Sequence, residues 1–206
     1  MTADVSAIYL LDGATGGPVE AELYDAIEQA HLDDWQAKWR PALLTVLQEL
    51  INRGVPRSKW PQSSHWNWAK KTARVQGLLA FRGFSVVALG ETQGLAQIDL
   101  TKSSRDPSQV GKPLVYLDYL EVAPWNRPDL GGVPKLRGVG SALLTAAVAL
   151  SVEEGFKGRL ALHSLPQADA FYRKIGMTDL GSDAQYQNLR YFEMTADQAR
   201  VFLEEE

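Results

Sequence analysis

Two short stretches of this 206-residue chain combine residue types that can do chemistry. The first is Arg137-Gly138-Val139-Gly140-Ser141-Ala142, which opens a strongly apolar helical run. Glycines there let the backbone approach a ligand closely, and first-turn N–H groups have no partner inside a helix. With the helix dipole they form an anion site suited to a pyrophosphate, beside which Arg137 adds a bidentate cation. Many helices also begin after glycine without a ligand, so the pattern alone leaves both readings open. It is not a G-x-x-x-x-G-K-[ST] loop, and Leu143 stands where a G-x-G-x-x-G turn needs its third glycine. The second stretch, Ala168-Asp169-Ala170-Phe171-Tyr172-Arg173-Lys174-Ile175-Gly176-Met177, follows an apolar strand that ends at His163. A third candidate is the run Leu114–Ala123, which carries Asp118 and Glu121 among apolar neighbours. An acid inside an apolar strand is costly unless paired, so Asp118 is either a working group or the partner of a lysine or arginine.

Composition narrows the chemistry. With no cysteine there is no disulfide framework, thiolate metal site or cysteine nucleophile. His31, His65 and His163 are too scattered for an H-x-x-x-H pair, so no metal is expected. A chain with 45% hydrophobic and 22% charged residues is neither collagen-like nor disordered. No window approaches 18 consecutive apolar residues, and the first residues lack the basic start and apolar run of a secretory leader. A soluble, cytoplasmic protein is the expectation. The net charge of −4 is unevenly spread. Residues 1–52 hold Asp4, Asp12, Glu20, Glu22, Asp25, Glu28, Asp33, Asp34 and Glu49 against Lys38 and Arg40. Residues 53–90 hold Arg53, Arg57, Lys59, Lys70, Lys71, Arg74 and Arg82 with no acid at all. Such blocks steer partners, or pair with one another as solvated faces.

The elements that must position these groups follow from periodicity. Ala7–Leu11 reads as a strand, and from Val19 to Arg53 the pattern is helical, broken at Pro41, with Gly54 closing the second helix. Residues 55–75, with Trp60, Trp66 and Trp68, are of weaker period and wall a pocket or pin the segment to the core. Strands are expected at Phe84–Leu89 and Leu95–Thr101, joined through Gly90–Gly94, then at Leu114–Ala123 after a polar loop. A helix over Gly138–Glu154, a strand at Arg159–His163, and a helix from Ala168 to Ile175 with a Ser164/Gln167 capping box come next. A strand at Gln187–Met194 and a helix capped by Thr195 and Gln198 close the chain. The order describes one mixed α/β domain: a largely antiparallel central sheet flanked by helices, with a Trp-rich helical or irregular insertion before the second strand.

The pair of chemical stretches resembles the GNAT superfamily of acyl-CoA-dependent N-acyltransferases. Arg137, Gly140 and Ala142 meet its R/Q-x-x-G-x-G/A motif. Ala168, Phe171, Tyr172, Lys174, Gly176 and Met177 meet its A-x-x-F-Y-x-K-x-G-M/F motif, in the expected order after strands of the expected type. The resemblance covers residues 76–194 well and 6–53 in outline. It departs from the family in the longer loop Trp125–Leu136 and in Leu165, where the family often has asparagine. It implies one domain over 1–206: first strand and acceptor-side helices in 6–53, an insertion at 54–75, the acyl-CoA-binding core in 76–194 and a C-terminal helix in 195–206.

The resemblance also implies acetyl-CoA as acyl donor, bound by Arg137, Gly138, Val139, Gly140, Ser141 and Ala142, with backbone groups of Leu120 and Val122 on the pantetheine arm and contacts from Phe171 and Lys174. It makes Tyr172 the acid that protonates the departing thiolate; packing beside Phe171 is the other use of that side chain. A base lies a few residues upstream on the strand, Asp118 first and Glu121 second. His163 is a ligand contact, a relay or a satisfied core histidine. The acceptor is an amine, a small molecule or a peptide or protein, and the acidic block that forms the family's acceptor lip favours a cationic one. Two other functions share these residues: a non-catalytic acyl-CoA sensor, or an acetyltransferase directed to aminoacyl-tRNA. The pI of about 5.5 argues against nucleic acid; no membrane partner is expected, and a homodimer stays open.

Overall fold

Val19, Ala21 and Leu23 alternate with Glu20 and Glu22, and this period of two decides the first structural difference from expectation. In the computed structural model, which describes residues 3–205, the chain from Pro18 is a strand and not the start of a helix. Strand β1 (Val5–Asp12) and β2 (Pro18–Tyr24) form an antiparallel hairpin. Its turn is built by Asp12, whose Oδ1 accepts from Ala14 N at 3.0 Å and Thr15 N at 2.7 Å.

Helix α1 (Gln29–Asp34) then runs through a π-helical turn, Trp35–Trp39, into α2 (Arg40–Asn52). Pro41 does not break the helix. Pro41 does stand in the first turn of α2, as expected, and the wider turn that ends just before it takes up the missing N–H without a break in the helix. Trp35 and Trp39, four residues apart across that turn, are both buried. Trp39 Nε1 donates to Thr92 O at 2.8 Å, and Thr92 N donates back to Asp34 Oδ2 at 2.8 Å. Gly54, at φ +67°, closes α2 as expected: its N–H reaches Ile51 O, and Val55 N reaches Leu50 O.

Within the Trp-rich segment α3 (Trp68–Val75) is capped by Asn67, whose side chain accepts from Lys70 N. Because of β2, this segment precedes the third strand and not the second. Strands β3 (Phe81–Ala88) and β4 (Glu91–Asp99) turn at Leu89 and Gly90, both at positive φ, which makes a two-residue hairpin in place of the five-residue connection expected. There follow β5 (Val115–Val122), β6 (Leu136–Arg137), α4 (Val139–Glu153), β7 (Leu160–Ser164), α5 (Asp169–Lys174), β8 (Thr178–Asp183), β9 (Leu189–Met194) and α6 (Ala196–Glu205). The sheet is mixed and mostly antiparallel, in the order β6-β1-β2-β3-β4-β5-β7-β9-β8, with β5 and β7 parallel. No described helix is long and apolar enough to cross a membrane.

The Ser164/Gln167 capping box does not form. Pro166 starts a short 3-10 turn instead, and Ser164 Oγ donates to Leu165 O at 2.9 Å. The Thr195/Gln198 box does form: Thr195 N donates to Gln198 Oε1 at 2.8 Å and Gln198 N to Thr195 Oγ1 at 3.3 Å.

Contacts divide the chain into two compact units. One holds the chain up to Leu78 with Gly83–Leu95 and Leu120–Leu143; the other holds Leu79–Arg82, Ala96–Tyr119 and the chain from Leu144 on. In the first unit Leu10, Trp35, Trp39, Trp68, Val86 and Leu136 are buried. Gly94 is needed there, since a Cβ would lie 2.6 Å from Val139 Cγ1. In the second unit Ile98, Leu114, Leu117, Leu160, Leu162 and Phe192 are buried.

Candidate functional site

In the first unit the long loop 125–136 is knitted into the hairpin side of the sheet. Trp125 Nε1 and Asn126 Nδ2 both donate to Gln93 Oε1, at 2.9 and 2.7 Å, and Asn126 Oδ1 accepts from Leu136 N. Leu136 and Arg137 then pair with Asp12 and Leu11 as β6. Gly138, at φ +91°, turns the chain out of β6 and into α4. Ala142 N donates to Gly138 O at 2.8 Å, which leaves the N–H groups of Val139, Gly140 and Ser141 as the first-turn donors of a 15-residue helix. Around Gly140 the space is open: a Cβ there would meet only Val122 Cγ2, at 3.9 Å. First-turn N–H groups beside open space at a helix start can take an anion. Arg137 itself spends one donor within the fold, Nη2 reaching Gly13 O at 2.6 Å.

Glu121 is a buried carboxylate in the same unit. Trp68 Nε1 donates to its Oε2 at 2.6 Å, and Arg127 lies 3.9 Å from Oε1 while donating to Ser63 Oγ at 2.9 Å. Burial pushes its pKa up, opposed by the Trp68 and Ser63 hydrogen bonds and the charges of Arg127 and Lys71. Segment 54–75, through Trp68, and the long loop, through Arg127, therefore meet at this one carboxylate. Trp68 is fully buried; Trp66 packs edge-on to it under Lys71, whose Nζ is 4.7 Å from the ring centre. His65 is exposed.

In the second unit Asp118 is half-buried and accepts a long hydrogen bond, 3.4 Å, from Gln97 Nε2. That donation leaves Gln97 Oε1, itself buried, without a hydrogen-bond partner. Tyr116, two residues before Asp118 on β5, is tied to His163: its hydroxyl lies 2.6 Å from Nδ1. His163 Nε2 lies 3.1 Å from Asp183 Oδ2, and Tyr186 stacks on the imidazole at 3.8 Å. Burial lowers the His163 pKa against the pull of Asp183, so the ring is neutral near pH 7. Hydrogen bonds from Arg105 and then from His163 hold Asp183 down at about 2.

Tyr172 is buried on α5, edge-on to Phe171 at 5.3 Å and tilted against Phe192 at 5.7 Å. Burial, with a smaller push from the Asp169 charge, raises its pKa well above the ordinary phenol range and keeps the proton on the oxygen. Phe171 is half-buried and Lys174 exposed. Among the groups that sequence reasoning passed over are Gln97, Tyr116 and Asp183. Tyr116 shares the strand parity of Asp118, which could have marked it; Asp183 lies on β8, whose weak apolar pattern hid the strand. A buried Glu193 also went unnoticed: it accepts from the Ser104 hydroxyl, Arg105 N at 2.8 Å, Asp106 N at 3.3 Å and Gln109 Nε2 at 2.9 Å, and so anchors the loop that carries Arg105.

No family model matches the sequence, and no curated protein matches it. Solved structures do match the fold. The PaiA N-acetyltransferase of Thermoplasma acidophilum, solved with coenzyme A, is 15% identical with a TM-score of 0.51, over 85% of this chain and 98% of that one. A GNAT-family acetyltransferase from Listeria monocytogenes is 12% identical with a TM-score of 0.54, over 92% and 99%. RimJ of Mycobacterium smegmatis, solved with CoA-disulfide, is 16% identical with a TM-score of 0.50, over 96% and 91%. The chain has the fold of the GNAT acetyltransferases.

Proposed function

We propose that this protein is an acyl-CoA-dependent N-acetyltransferase that moves an acetyl group from acetyl-CoA to a primary amine by direct attack. The observation that carries the reading is the Gly138–Ala142 turn, open at Gly140 and leading into α4, in a chain with this fold. The donor supplies a thioester carbonyl. The chain must supply a neutral amine, because an alkyl amine of pKa ~10.4 is deprotonated in only about one molecule in 10³ at pH 7. Asp118 is our first choice to hold and deprotonate the ammonium, and Glu121 the second. Tyr172 protonates the leaving thiolate. On this reading residues 76–194 are the acyl-donor core and 6–53 the acceptor side.

Gly140→Val tests the donor site. A Cβ there meets only Val122 Cγ2, at 3.9 Å, and valine forms helix at least as well as glycine, so the fold should stand. CoA at about 100 times its Kd should stabilise the wild type by ~2.7 kcal/mol, and the variant should lose that gain in melting temperature. An unchanged CoA response in Gly140→Val removes the turn from the site.

The acceptor side carries Glu22, Asp25, Glu28 and Asp33 exposed, while Asp34 is committed to Thr92 and Lys38. A surface of that sign favours cationic acceptors, with attraction screened beyond ~10 Å at 0.1 M salt. KM for a polyamine should therefore rise with ionic strength. Equal, salt-insensitive turnover of neutral and cationic amines would reduce these acids to a solvated face.

A further inference from the structure

We propose that Tyr116, His163 and Asp183 form a proton relay for the acceptor amine, in which Tyr116 takes the amine proton as it passes its own to His163. This rests on the transferase reading above. Three strands supply the three groups, and their polar atoms are in line: Tyr116 hydroxyl to His163 Nδ1 at 2.6 Å, His163 Nε2 to Asp183 Oδ2 at 3.1 Å. A carboxylate can only accept, so Nε2 carries the imidazole proton and Nδ1 accepts from the tyrosine. Every proton can then shift one place in the same direction, the logic of an oriented base generalised from hydrolase triads.

The surroundings suit that task. Asp118 stands two residues along β5 from Tyr116, on the same face by strand alternation, about 6.6 Å away along the strand, and its charge is felt at the Tyr116 hydroxyl. The groups facing His163 are Tyr116 from β5, Asp183 at the end of β8, Tyr186 after it, Tyr191 from β9 and Arg105 from the preceding loop. Arg105 pairs with Asp183 at 2.5 Å and lies 4.3 Å over the Tyr191 ring, and its own side chain is half exposed. The path thus leads from a buried strand residue to a solvated ion pair.

The step balances. Asp118 first takes the ammonium proton and later returns it to water. The freed lone pair forms the C–N bond at the thioester carbonyl, one of the two remaining N–H protons goes to Tyr116 Oη, and the tyrosine proton goes to His163 Nδ1. The C–S bond breaks with its electron pair on sulfur, which takes a proton from Tyr172. His163 then releases its extra proton to water and Tyr172 regains one, so amine and thioester have become amide and thiol. Within the relay Tyr116 is the catalytic residue; His163 and Asp183 act through it.

The test uses the full chain with acetyl-CoA and a primary amine, reading thiol release against pH, and ¹⁵N-histidine NMR of the protein alone. The wild type should show His163 as the neutral Nε2–H tautomer and an acidic limb in kcat below the ordinary histidine range. Tyr116→Phe and His163→Gln should each lower kcat by about 10²–10⁴ with KM for acetyl-CoA unchanged. Asp183→Asn removes the carboxylate that raises the His163 pKa, so the acidic limb should move to lower pH. If His163→Gln fails to fold, Asp183→Asn carries the test, and an unmoved limb in it overturns the relay. Turnover in which the variants keep the wild-type rate and profile defeats the relay alone. Absence of thiol release by the wild type with every amine, whatever the NMR shows, defeats the transferase reading and the relay with it.

Discussion

A Tyr172→Phe protein is expected to lose about 10²–10⁴ in kcat for amine acetylation while its acetyl-CoA affinity stays within a factor of two or three, roughly the scale on which lost general acid catalysis shows itself. The ring sits between Phe171 and Phe192, contacts that phenylalanine keeps, so the variant isolates the hydroxyl. Burial holds the proton on that oxygen well above the ordinary phenol range. The same burial makes the phenol a reluctant donor at rest. On the proposed mechanism the proton moves when negative charge develops on the leaving sulfur, at the moment of C–S cleavage. Wild-type kcat in the variant would leave Tyr172 as a packing aromatic.

The second large effect is on stability. Trp68→Ala should destabilise the protein by ~3–5 kcal/mol, the usual cost of truncating a buried tryptophan. Part of that cost is electrostatic, because the indole N–H donates to the buried Glu121 carboxylate at 2.6 Å. Trp68→Phe keeps much of the packing and removes the donor, and should cost ~1–3 kcal/mol. Urea titration of both variants measures the two contributions separately. A Trp68→Phe protein as stable as the wild type would mean that Ser63 and Arg127 suffice for Glu121 and that Trp68 acts by shape alone.

The legible parts of the fold were those where one local rule acts alone. The apolar stripe of α4 and the glycine after α2 are of this kind, as is the Thr195/Gln198 box, since each is decided within a few residues. β2 was hidden because Val19, Ala21 and Leu23 also fit the leading edge of a helical stripe, and only pairing with β1 chooses between the periods. At Pro41 the expected break is absent, because a wider turn over Trp35–Trp39 carries the helix up to the proline, which stands in the first turn of α2 as expected. Tyr172 and the Arg137–Ala142 turn stand out as candidates because they lie in local motifs. The partners of Asp118, Glu121 and His163 do not stand out, since Gln97, Trp68 and Asp183 reach them across 21, 53 and 20 residues of chain. Contacts of that span are set by strand order, which periodicity does not encode.

The central claim is transfer of an acetyl group from acetyl-CoA to an amine, and the most direct measurement is thiol release by the purified protein with acetyl-CoA and a panel of primary amines. The account predicts release that depends on the amine, is fastest with cationic acceptors, and yields one acetylated amine for each thiol. Firm CoA binding with no release above the amine-free background, across cationic, neutral and peptide amines alike, would contradict it.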